Sequence, residues 1–224
     1  STLNNYQDIN WLGNTTNARY KGLSYVWMNQ LTTEVIPKPD GYSKERLEKI
    51  AQKYTNLSNE INRERSNYLN DQTVIYILSE SFSDPRKVEG VELTENPIPN
   101  IENIMKTHTS GQMHSDGYGG GTANMEFQTL TSLPFYNISP TVSVLYTEVF
   151  PKIHDVPSIS NTYSSKNKIA IHLAGGANYS RDIVYSRLNF SDFITINTKG
   201  ITVRKEGISP SDESTYNIVL DNLN

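Results

Sequence analysis

Apolar residues follow two periods along this chain, and the change between them marks its organisation. Tyr20, Leu23, Val26, Trp27 and Leu31 recur at helical spacing, and Pro37 and Pro39 close the segment, which predicts one short helix over 20–31. After the Pro39-Asp40-Gly41 turn, Ser43 can cap a second helix whose Leu47, Ile50, Ala51, Tyr54, Leu57 and Ile61 form one stripe opposite a charged face. Both helices need another surface to pack on. At 73–78 the pattern becomes a continuous β-rich apolar run, too short for a membrane helix and typical of a parallel strand buried on both faces. Shorter runs at 168–172 and 192–196 read as further strands. Helical patterns at about 100–106, 122–132 and 180–188 alternate with them, as in an open α/β sheet. Ser209 as a cap with Pro210 at the first helical position opens a last helix, with Tyr216, Val219, Leu220 and Leu223 on one side.

Composition narrows the function classes. The 224 residues, 36% hydrophobic and 20% charged, suffice for one domain with a substantial core. A formal charge of −4 and no Lys/Arg cluster exclude the basic face that nucleic-acid binding requires. Without cysteine there is no disulfide, zinc-thiolate site or thiol nucleophile. No stretch reaches the length of a membrane span, and the first residues lack the regions of a signal peptide. Both ends read as cuts within a longer protein.

Three places could carry chemistry. Glu80 directly follows the 73–78 run, and ligands of open α/β sheets bind outside the carboxyl ends of strands; a solvated acid at a strand end is the plainer alternative. Gly117-Tyr118-Gly119-Gly120-Gly121-Thr122-Ala123-Asn124-Met125-Glu126-Phe127 lets the backbone approach a ligand and places Thr122 where a helix should begin, so its hydroxyl either meets a phosphate or merely caps the helix. The Lys of a P-loop is missing. His172 ends the 168–172 run, and Arg181, nine positions on, offers a planar guanidinium suited to phosphate. A lone His at a strand end is also a common structural residue. His108, His114 and His154 show no metal spacing and read as surface residues.

Taken in order, these pieces resemble the alkaline phosphatase and sulfatase superfamily, in its lipoteichoic acid synthase branch. The likeness runs from about Asp71 to Asn224. It is carried by Val74-Ile75-Tyr76-Ile77-Leu78-Ser79-Glu80-Ser81-Phe82, Ile98-Pro99-Asn100-Ile101, the Gly119-Gly120-Gly121-Thr122 stretch through Phe127, His172, and Tyr179-Ser180-Arg181-Asp182 leading to Leu188-Asn189-Phe190.

The resemblance implies a sulfatase/alkaline-phosphatase-like α/β sheet flanked by helices over 69–224, incomplete at its C-terminus and preceded by a helical linker segment over 1–68. It implies a phosphoglycerol transferase in which Glu80 binds a divalent metal, Mn2+ or Mg2+, and Thr122 is both metal ligand and nucleophile. His172, Tyr179 and Arg181 match positions that contact the glycerophosphate group. The donor would be a phosphatidylglycerol-type lipid and the acceptor a glycerophosphate polymer. The domain would sit on the extracytoplasmic face of a bacterial membrane, tethered through preceding helices.

Two departures bear on this. Ala174 stands where some relatives carry a polar or acidic residue beside the glycerol, and the family's downstream Asp-His pair is not reached. The chain alone is therefore expected to be inactive and to hold metal weakly. A phosphatase, sulfatase or phosphoethanolamine transferase on the same scaffold is the alternative, although Thr122 cannot supply the formylglycine of a sulfatase. A non-catalytic binding fragment is the other.

Overall fold

A computed structural model describes residues 14–32, 34–66, 71–79, 82–113, 115–116 and 121–223. Three helices come first. Helices α1 (Asn14–Lys21) and α2 (Leu23–Thr32) replace the single helix expected over 20–31. Gly22, at φ +89°, donates to Ala18 and ends α1 in the left-handed conformation that favours glycine. Helix α3 (Lys44–Arg63) begins as its sequence dictates, with the Ser43 hydroxyl accepting from Arg46 N–H at 3.2 Å. Its apolar stripe remains exposed. Val35 ties this part to the rest of the chain: it packs against the core and accepts from Ser139 N–H at 2.9 Å.

Residues 73–78 form no strand, contrary to the central position expected for them. Val74 to Leu78 are 36–59% exposed. A run apolar on both faces becomes a buried strand only where strands pair along its edges and helices cover it, and no described residue pairs with it. Helix α4 (Pro99–Thr107) follows, with Pro99 at its first position.

The packed part begins at α5 (Thr122–Thr131). Ala123 and Phe127 point into a cluster with Leu145, Tyr146, Val149, Phe150, Val184 and Leu188. Phe127, Tyr146 and Phe150 meet edge to face at 6.3 and 6.2 Å, the arrangement that aligns ring edges with ring faces. The Asn124 amide fixes the next helix, α6 (Leu145–Glu148): it accepts from Leu145 N–H and donates to the Ser143 carbonyl, both at 2.9 Å.

Strands β1 (Ile169–Ile171) and β2 (Asp192–Ile194) are the strands expected at 168–172 and 192–196, trimmed in length. They pair in parallel with Ala170 opposite Phe193, and α7 (Arg181–Arg187) forms the crossover between them. Buried Lys168 braces the start of β1, donating to the Leu188 carbonyl at 2.6 Å with its ammonium 5.5 Å from the Phe190 ring.

A short antiparallel pair, β3 (Lys205–Glu206) and β4 (Ser209–Pro210), leads into α8 (Asp212–Asp221). The cap is Ser211, not Ser209: Pro210 stays extended in β4, while Ser211 Oγ accepts from Ser214 N–H at 3.2 Å and two acids fill the first turn. Ile218 packs there with Leu173 and Ile194 in a second cluster. No described helix is long and apolar enough to cross a membrane.

Because Phe127 is fully buried at the centre of the larger cluster, Phe127→Ala is expected to lower the unfolding free energy by about 3–5 kcal/mol. Urea unfolding followed by circular dichroism checks this, as a lower midpoint at unchanged slope.

Candidate functional site

Thr122 is the first residue of α5, behind Gly121 as N-cap, and is half-buried. One turn further along the same face stands Glu126, which sequence reasoning had passed over. Its carboxylate is buried and receives the guanidinium of Arg181, 55 residues away on α7. Arg181 Nε donates to both carboxylate oxygens at 3.0 and 2.9 Å, and Nη2 donates to Oε1. Nη1 reaches the Asn178 carbonyl at 3.4 Å, and the Tyr185 hydroxyl donates to Glu126 Oε2 at 3.3 Å. Burial by itself would lower the pKa of Arg181, but the bonds and charge of Glu126 outweigh it and hold the pKa above its ordinary value.

Tyr146 completes the surroundings of this pair. Its hydroxyl is buried with no hydrogen-bond partner among the described residues, although Glu126 lies within electrostatic reach. Burial, with the Tyr185 and Glu126 charges, pushes its pKa well up and keeps the phenol neutral.

The approach to Arg181 is strained. Tyr179 and Ser180 both take left-handed conformations, at φ +57° and +56°, where a side chain costs about 1 kcal/mol or more per residue. This pair turns the chain into α7 and leaves the Tyr179 ring 5.2 Å from the Arg181 guanidinium carbon. The preceding loop is held close to β2. A Cβ on Gly176 would come within 3.2 Å of Thr195 Cγ2, and the Gly176 carbonyl accepts from Asp182 N–H at 3.1 Å.

His172 extends the parallel ladder beyond β1, its N–H donating to Ile194 at 2.9 Å. Its ring Nδ1 accepts from Ala174 N–H at 3.2 Å, which leaves Nε2 to carry the proton of the neutral ring. Burial first, and the Arg181 charge second, hold its pKa below the ordinary value near 6.5, against an opposing effect of Glu126.

Tyr179 and His172 therefore stand beside Arg181, and the buried pair that Arg181 makes with Glu126 lies one turn along α5 from Thr122. Glu80, the remaining expected site residue, lies outside the described residues, as do Gly117 to Gly120 and His114. Among the described residues no three of His, Asp or Glu come together as metal ligands. Thr122 supplies one oxygen where a hard cation takes about six, so the described residues do not make up a cation site by themselves. A cavity of about 510 Å³ beside His154, Asp155 and Arg187 holds none of the expected residues. Arg187 is already engaged there, donating to the Phe150 and Ile153 carbonyls at 2.8 and 2.6 Å.

The sequence did hold a signal for Glu126. It lies next to core-facing Phe127 and one turn from Thr122, at the border of the apolar face of α5, where an acid requires a partner. Only the fold could name that partner.

The sequence profile described as Sulfatase matches residues 72–223. A solved structure of the Streptococcus pyogenes phosphoglycerol transferase GacH, in complex with sn-glycerol-1-phosphate, is 49% identical and superposes with a TM-score of 0.81. The match covers 85% of this chain and 51% of that one. A Rhizobium meliloti (strain 1021) protein named for cyclic beta-1,2-glucan modification is 29% identical over 203 residues, which is 89% of this chain and 29% of that protein. The chain thus spans about half the length of the solved relative and less than a third of the curated one. The sulfatase/alkaline-phosphatase-like fold and the likeness to phosphoglycerol transferases expected from the sequence are both borne out.

His172 yields a pH prediction. The unfolded chain, with its histidine near 6.5, binds the proton more readily than the folded one. The stability contributed by neutral His172 is therefore complete above pH 6.5 and is lost as pH falls below it. An NMR titration should place the His172 midpoint below 6.5, and His172→Gln should flatten that part of the stability profile.

Proposed function

This chain belongs to the sulfatase family, and on that footing we propose that the whole protein transfers glycerol phosphate from a phosphatidylglycerol-type lipid to a growing cell-envelope polymer, with Thr122 as nucleophile. What supports the reading is that Tyr179 and His172 stand beside Arg181, which is paired with Glu126 one turn from Thr122 on α5, in a chain 49% identical to a phosphoglycerol transferase solved with sn-glycerol-1-phosphate.

The chemistry takes two displacements. Thr122 Oγ1 attacks the donor phosphorus, the bond to the diacylglycerol oxygen breaks, and that oxygen leaves with the proton given up by the threonine. A glycerophosphate ester remains on Thr122. A glycerol hydroxyl of the acceptor then attacks the same phosphorus, the Thr122 ester bond breaks, and the acceptor's proton returns to the threonine. A divalent metal, Mn2+ or Mg2+, bound through Glu80 and Thr122 with ligands from beyond the described residues, would lower the hydroxyl's pKa and offset phosphoryl charge.

The other residues act by position and charge. Arg181 presents N–H groups to the phosphoryl oxygens, neutral His172 donates through Nε2 to the glycerophosphate, and Tyr179 walls the glycerol. On this reading residues 1–68 link the domain to an extracytoplasmic membrane surface, and 69–224 are the first portion of the catalytic domain.

A second acceptor fits one observation. The relative named for glucan modification, together with the small Ala174 beside His172, favours a carbohydrate hydroxyl in place of the glycerophosphate end.

In the full-length protein, Thr122→Ala should abolish transfer to either acceptor and remove the glycerophosphate adduct seen by intact mass spectrometry after exposure to donor. The melting temperature should be unchanged. Turnover retained by that variant would refute the nucleophile.

A further inference from the structure

We propose that Glu126 is a positioning residue for phosphoryl transfer, setting the guanidinium of Arg181 so that its remaining N–H groups face the phosphate held at Thr122. The inference rests on the glycerophosphate reading above and adds to it a residue that makes no contact with substrate.

The geometry separates the guanidinium into two parts. A guanidinium carries five N–H groups in a fixed plane. Glu126 takes the edge formed by Nε and Nη2, and Asn178 takes one N–H of Nη1. One N–H on Nη1 and one on Nη2 have no bond among the described residues. Because the group is planar, fixing the Nε edge fixes where these two point.

The fixation is over-determined. Tyr185 bonds the far carboxylate oxygen at 3.3 Å, Tyr179 flanks the guanidinium carbon at 5.2 Å, and two left-handed residues lead the chain into Arg181. Glu126 also sits one turn from Thr122 on the same rigid helix, so the distance from nucleophile to guanidinium is set by α5 rather than by a loop.

A purely structural pair would not need this arrangement. Burying two charges forfeits much of their solvation, and apolar replacements of similar volume are often as stable. A pair kept one turn from the reacting hydroxyl, with N–H groups still available, instead supplies preorganised positive charge where phosphoryl charge develops.

The test uses the full-length protein and sn-glycerol-1-phosphate as the probe, with affinity read by calorimetry and melting temperature read in parallel. Glu126→Gln keeps an acceptor but loses the charge that fixes Arg181, and should weaken binding about tenfold. Arg181→Lys loses the fork and should weaken it at least as much. The double variant should bind no more weakly than Arg181→Lys alone, because Glu126 acts only through Arg181. Should Glu126→Gln not fold, Glu126→Asp keeps the buried charge and should still weaken binding several-fold by drawing the guanidinium back.

Wild-type affinity in the Glu126 variants, with only the melting temperature lowered, makes the pair structural and overturns the positioning role. Independent, multiplying losses in the double variant overturn it as well. Arg181→Lys binding as wild type, or a wild-type protein that takes no sn-glycerol-1-phosphate, overturns the glycerophosphate reading itself and the positioning role with it.

Discussion

Opposite charges removed from water must be matched closely or they destabilise the fold that contains them, since each ion gives up solvation worth several kcal/mol. Glu126 and Arg181 meet that condition through a fork of hydrogen bonds, with a tyrosine hydroxyl on the carboxylate and an aromatic ring beside the guanidinium. The pair joins α5 to α7 across 55 residues of chain. A displacement of either helix by an ångström would leave a buried charge uncompensated. The relative placement of Thr122, Tyr179 and Arg181 is thereby fixed by the same interaction.

Packing around the pair serves the same end. Ala123 and Phe127 commit one side of α5 to the main core, and Val184 and Leu188 do the same for α7, so both helices are seated before the ion pair is considered. Asn124 ties α5 to the start of α6 through two backbone bonds. Lys168 braces the start of β1 against the end of α7, while the close approach of Gly176 to Thr195 holds the loop after β1 near the end of β2, where His172 and the strained Tyr179-Ser180 turn lie. The left-handed residues are tolerated because bonds at Gly176, Ala177 and Asp182 close the turn around them.

Local chemistry made much of this legible in advance. The Ser43 cap, Thr122 at a helix start and the two short strands all depend on residues close in sequence, and each appears where its pattern placed it. Errors arose where a second local signal competed. Gly22 broke one periodic stripe into two helices, and Ser211 displaced Ser209 as a cap because Pro210 was drawn into a strand with Lys205. The 73–78 run shows the opposite limit: its composition suits a buried strand, but strand formation depends on partners that no local pattern supplies.

The sequence alone determined the chain's family likeness, the strand–helix–strand order of β1, α7 and β2, and which residue types could carry phosphoryl chemistry, because motif spacing, capping and periodicity act over a few residues. It also placed Thr122 at the mouth of a helix. Only the tertiary structure decided that Arg181 is anchored by Glu126 and that His172 is held neutral by burial and a neighbouring cation. A pairing across 55 residues and a pKa set by desolvation are properties of a folded environment, and they acquire a value only once the chain has closed around them.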